Sequence, residues 1–173
     1  LKYGVLHGCI LGSLLYYFGV IYGLLLFVLF FYLLERVLDK FGYQVMYSGD
    51  LMISFEAPRR NHNIGGYFII DKIDFEEFAE DFYTRGILQV RKLSTVLVEK
   101  FGLKLWRDID KRIAKEQIFR CNRKITTMQE CIKFANEIMD EDMDISKPLW
   151  EFQIVEDFSK NKSAIIIRMH HCF

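Results

Sequence analysis

"KPLWEFQIVEDFSKNKSAIIIRMHHCF", Lys147 to Phe173, is the stretch with the clearest structural pattern. Two apolar runs, LWEFQIV and SAIIIRM, flank the polar EDFSKNK, so the pattern predicts two strands joined by a turn. The second run holds three consecutive isoleucines and one arginine and ends on His170 and His171. Alternate residues of a strand share a face. His171 would therefore lie with Met169, Ile167 and Ile165, and His170 with Arg168 and Ile166. If the strand persists to its end, the imidazoles point to opposite sides. One can then face a cavity while the other ties into structure.

By themselves, adjacent histidines are more commonly a packed or hydrogen-bonded pair than a catalytic one. A shared metal ion fits poorly, because neighbouring strand residues cannot easily turn toward one ion and no carboxylate cluster of ligand spacing accompanies them. A nucleophile pair of Cys172 with a histidine is also disfavoured, since sequence neighbours rarely place thiol and imidazole productively.

Upstream, Thr127 followed by Glu130 predicts a helix start. Met128, Cys131, Ile132, Ala135, Ile138 and Met139 form its inner face, and Pro148 closes the stretch. GGYFIID (Gly65–Asp71) reads as a strand, and Asp74 with Glu77 opens a helix whose apolar face is Phe75, Phe78, Ala79 and Phe82. STVLVEKFGLKLWRDI predicts two strands around Lys100–Gly102. The order strand, helix, hairpin, helix, hairpin gives an α/β class, a mixed sheet with packed helices. The acidic run Asp140–Asp144 reads as a helix end and linker, because it lacks the glycine turn and closing glutamate of a calcium loop. Ala57–His62, APRRNH, reads as a solvated loop.

The N-terminal segment is different in kind. Tyr3 to Leu34 is 32 residues without a formal charge. As a straight helix it would reach ~48 Å at ~1.5 Å per residue, against ~30 Å of bilayer hydrocarbon. It predicts one tilted transmembrane helix, with Tyr32, Arg36 and Lys40 as anchors. Gly4, Gly8, Gly12, Gly19 and Gly23 fall on one side of such a helix, a stripe suited to a helix partner in the membrane. The expected domains are residues 1–41, a transmembrane helix and juxtamembrane anchor, and residues 42–173, an α/β domain.

Lys and Arg total 23, as do Asp and Glu. This balance gives no general reason to expect nucleic acid, which calls for a basic face. Cys9, Cys121, Cys131 and Cys172 form no C-x-x-C pair and suggest neither a disulfide framework nor zinc.

The segment SGDLMISFEAPRRNHNIGGYFIIDKIDFEEF resembles the opening of the wax ester synthase/diacylglycerol acyltransferase family, with Asp50, Phe55, Glu56, Gly65 and Gly66 in the matching places. Pro148, Leu149 and Trp150 are similar to that family's Pro-Leu-Trp strand. IIIRMHHCF looks like the lead-in to its His-His-x-x-x-Asp-Gly motif, whose Asp and Gly fall beyond Phe173. The resemblance implies the N-terminal half of a CoA-dependent acyltransferase-like domain, truncated at the His-His motif. It implies His171 as general base and His170 as supporting member, with acyl-CoA as co-substrate and no bound cofactor or metal.

The implied acceptor is a long-chain alcohol or diacylglycerol, giving wax ester or triacylglycerol. The implied setting is an integral membrane protein in contact with membrane lipid, in the endoplasmic reticulum, or in the mitochondrial inner membrane for a complex subunit. A non-catalytic accessory subunit of a large membrane complex is the alternative. A peptide-synthetase-type condensation domain shares the histidine pair but fits the apolar helix and the Pro-Leu-Trp context less well.

Overall fold

Trp150–Ser159 and Lys162–His170 form the antiparallel hairpin expected from the sequence, with only Lys160 and Asn161 outside its strands. The computed structural model describes residues 2–46, 63–100 and 102–173. In chain order the strands are β1 (Tyr43–Val45), β2 (Asn63–Asp71), β3 (Thr95–Lys100), β4 (Leu103–Asp108), β5 (Ile118–Arg120), β6 (Trp150–Ser159) and β7 (Lys162–His170). The α-helices are α1 (Lys2–Lys40), α2 (Phe75–Phe82), α3 (Lys111–Lys115) and α4 (Met128–Asp140). The chain divides into two compact units, Tyr47–Leu97 with Asp108–Phe173, and Leu1–Met46 with Val98–Arg107.

The larger unit is built on a four-stranded sheet in the order β2-β7-β6-β5. β7 pairs antiparallel with β2 on one side and β6 on the other, whereas β5 runs parallel to β6. Parallel neighbours need a crossover, and α4 supplies it. Its start follows from its sequence: Thr127 accepts from the Glu130 backbone N–H, and the Glu130 carboxylate accepts from the Thr127 N–H in return, a complete capping box. α2 begins on Asp74, whose side chain accepts from the Glu77 N–H.

Alternation along β7 sends its side chains into two cores. Ala164 and Ile166 join Cys131, Phe134, Ala135 and Ile138 of α4. Ile165 and Met169 join Trp150, Ile154 and the aromatic face of α2 on the other side. Ile154 and Ile166 are fully buried, each contributing about 1.5–3 kcal/mol of hydrophobic stabilisation. The mixed sheet with packed helices is thus as expected. The short strands β1 and β5 and the helix α3 are additions that the sequence pattern left unmarked.

The smaller unit holds α1 and the sheet β1-β4-β3, counting β3 from Val98 onward. Leu34 and Leu38 near the end of α1 pack on Tyr43, Val45, Leu103 and Leu105. The long apolar N-terminal helix is present, but it is not a straight rod. Gly19 leaves helical geometry at φ 73, ψ 169, a region open essentially to glycine and costing another residue about 1–3 kcal/mol.

The chain turns back at Gly19, so positions equidistant from it meet. The His7 and Phe31 rings stack with centroids 4.7 Å apart, whereas 24 residues of straight helix would separate them by ~36 Å. A Cβ on Gly23 would stand 2.9 Å from the Leu14 carbonyl oxygen. The five-glycine stripe therefore does not form. Gly4, Gly8 and Gly12 lie on the first arm, Gly19 makes the turn, and Gly23 faces the chain's own first arm. Gly8 and Gly12 have open space around them.

Candidate active site

The sheet delivers the histidine pair to the end of its central strand. β7 stops at His170, not at the chain's end, so the arrangement of two imidazoles on opposite strand faces is not reached. The reason is a turn: the Phe173 N–H donates to the His170 carbonyl at 2.8 Å, reversing the chain across His171 and Cys172. His171 is exposed on this turn, while Cys172 is fully buried.

His170 is tied into the turn. Its Nδ1 accepts from the Cys172 backbone N–H at 3.2 Å and lies 2.9 Å from Cys172 Sγ. With Nδ1 accepting, a neutral ring carries its proton on Nε2. Its own N–H donates to the Leu149 carbonyl at 2.9 Å. The pair is therefore divided, His170 bound to the scaffold and His171 open to the surface.

The strand face that His170 shares with Arg168 leads to a buried ion pair. Glu151 on β6 stands directly opposite Arg168 on β7, and Nη2 reaches Oε2 at 3.0 Å. Both residues are buried, at 7% and 8% exposure, so each charge depends on the other. Nη1 of Arg168 also donates to the carbonyls of Ile138 and, at 3.0 Å, Glu141. Asn63 Nδ2 donates to the Met139 and Glu141 carbonyls at 3.0 and 2.8 Å. These donors satisfy orphan carbonyls at the C-terminus of α4, and Arg168 places positive charge at the negative end of its dipole. Arg168 thus fastens α4 two residues from the histidines.

Trp150 fixes the neighbouring strand. Its Nε1–H donates to the Leu93 carbonyl at 2.9 Å, and its ring lies 5.7 Å from those of Phe82 and Phe152. Gly65 fits where no side chain could: a Cβ there would meet the Ile167 carbonyl oxygen at 2.0 Å and Met139 Cε at 2.2 Å. Sequence reasoning put Arg168 on the face of His170 but missed Glu151 and Asn63 as its companions. Asp50, Phe55, Glu56 and Ala57–His62 lie outside the described residues. Among the described residues no three His, Cys, Asp or Glu side chains gather as metal ligands.

Burial pushes the Cys131 thiol up, with the nearby Cys121 adding to the effect. Hydrogen bonds from the backbone and hydroxyls of Thr126 and Thr127 hold the Glu130 carboxyl below its usual range.

Comparison with known proteins agrees with this architecture. Among solved structures, the wax ester synthase/diacylglycerol acyltransferase from Marinobacter aquaeolei VT8 is similar with a TM-score of 0.56 at 13% identity, over 75% of this chain and 34% of that one. The starter condensation domain of rhizomide synthetase gives 0.58 at 11% identity, over 75% and 32%. The SgcC5 protein from Streptomyces globisporus gives 0.55 at 15% identity, over 73% and 31%. At such identities the likeness is one of fold. The chain spans about a third of the length of each. No curated protein sequence matches it. The family model of the wax ester synthase/diacylglycerol acyltransferase catalytic domain matches residues 46–173. That match covers most of the chain and includes the sheet, the Pro-Leu-Trp strand and the histidine turn, and it makes this protein a member of the wax ester synthase/diacylglycerol acyltransferase family.

Proposed function

We propose that the protein is an acyl-CoA-dependent O-acyltransferase that esterifies a long-chain alcohol or diacylglycerol, with His171 as general base. The observation that carries this reading is the division of the histidine pair at the end of β7. His170 is fastened through Nδ1 and its backbone, and the exposed His171 leaves its ring open to a substrate. Family membership supplies the reaction class.

In this reading the acceptor hydroxyl gives its proton to the His171 imidazole as its oxygen attacks the thioester carbonyl. The tetrahedral intermediate collapses with cleavage of the carbon–sulfur bond, and the departing CoA thiolate takes the proton back from the imidazolium. An imidazole ring can accept a proton at one nitrogen and give it back, as both transfers require. His170 is the positioning partner: the hydrogen bond from Cys172 N–H fixes the turn that presents His171.

The test is incubation of the purified full-length protein with labelled acyl-CoA and either hexadecanol or diacylglycerol, with separation of the neutral lipids. Labelled ester and free CoA in equal amounts are expected. No ester with any acceptor would favour the accessory-subunit reading instead.

A further inference from the structure

We infer that residues 2–40 enter and leave a lipid membrane on the same side, as a hairpin with its tip at Gly19, rather than crossing it once. Three observations point there. The first is where the turn falls. Lys2 stands 17 residues before Gly19 and Glu35 stands 16 after it, so the turn bisects the charge-free run and brings both charged ends to one level. A turn placed elsewhere would leave one arm's charges against the other arm's apolar surface.

The second is what the hairpin leaves uncovered. In the second arm, Val20, Ile21, Leu25, Val28 and Leu33 are all more than half exposed, away from the face turned to the first arm. Of residues 20–36, Gly23 alone is buried. A helix this apolar and this uncovered is at home in hydrocarbon, where intrahelical bonds satisfy the backbone. Association by a single stripe would instead leave a polar face for water.

The third is depth. Each charge-free arm measures about 24–26 Å at 1.5 Å per residue, most of a ~30 Å hydrocarbon core. Tyr16, Tyr17 and Tyr22, each at least 70% exposed, cluster beside the turn. At that depth their phenols reach toward the far interface, where tyrosine is favoured. At the open end Arg36 lies over the Tyr32 ring at 5.2 Å, an interfacial pairing at the near side. The occupant of the hairpin's outer surface is therefore the acyl region of a bilayer.

The experiment is cysteine labelling of the full-length protein in sealed vesicles from expressing cells, with a membrane-impermeant maleimide. Cys9 and Cys121 are first replaced by serine, and this background, in which Cys131 and Cys172 are buried, sets the baseline. Lys2→Cys, Lys40→Cys and Tyr17→Cys are then compared, and the membranes are washed with alkaline carbonate. The expected result is labelling of positions 2 and 40 from the same face, no gain over baseline at 17 until detergent is added, and retention through the wash. Labelling of 2 and 40 from opposite faces would establish a single crossing and overturn the hairpin. Labelling of 17 in intact vesicles, or release by carbonate, would mean that water or another protein covers this surface, and would overturn the lipid assignment. None of these outcomes depends on ester formation.

Discussion

Leu149 and His170 are joined backbone to backbone: the His170 N–H donates to the Leu149 carbonyl at 2.9 Å. The bond links the start of the Pro-Leu-Trp strand to the last strand residue before the histidine turn. It sets the two sequence features side by side. Trp150 anchors one strand through Leu93 and the Phe82–Phe152 cluster, and the next strand is registered on it.

Arg168 and Glu151 form a buried pair that should fail asymmetrically. Arg168→Met alone leaves Glu151 charged, buried and unpaired, and should cost about 3–5 kcal/mol. Arg168→Met with Glu151→Leu should recover most of that loss, because neither desolvated charge remains. Urea unfolding of wild type, both singles and the double variant checks this. Equal stability of the single and double variants would deny the coupling.

Gly65 and Gly66 should respond oppositely to a methyl group. Gly65→Ala drives a Cβ into the Ile167 carbonyl and Met139, and should cost about 1–3 kcal/mol or more through backbone displacement. Gly66→Ala meets no atom within 4 Å and should be neutral or slightly stabilising. Thermal unfolding of the two variants separates them.

The capping box of α4 predicts an acid-side dependence. Glu130 has a folded-state pKa below the usual 4.5, so its contribution is complete above about that pH and fades as pH falls through the lower folded value. Glu130→Gln should lose that part of the acid dependence of stability. Thr127→Ala, which removes the other half of the box, should cost about 1 kcal/mol at neutral pH. Unfolding midpoints between about pH 3 and pH 7, which span the carboxylate range, give both results.

Much of the sheet was legible because its strands alternate or run apolar between polar turns, and α2 and α4 announce themselves with caps. The pairing of Arg168 with Glu151 was not. Counting back from Ser159–Lys162 at the turn would set Arg168 opposite Gln153, but the irregularity between Val155 and Ser159 shifts the register and brings Glu151 there. The end of β7 was hidden for a similar reason. Strand periodicity continues formally through His171, and only the hydrogen bond from Phe173 to His170 shows the chain turning away. At the other end, five glycines read as one stripe because periodicity carries no sign of which glycine adopts a positive φ.

In the proposed reaction His171, held out by a turn that His170 fastens, removes the acceptor's proton. Its most direct test is the turnover of His171→Ala in full-length protein, with acyl-CoA and alcohol saturating. A fall in kcat of about 10²–10⁴-fold is expected, with unfolding midpoint and acyl-CoA affinity unchanged. Turnover within a few-fold of wild type, in a variant that is folded and binds acyl-CoA, would contradict it.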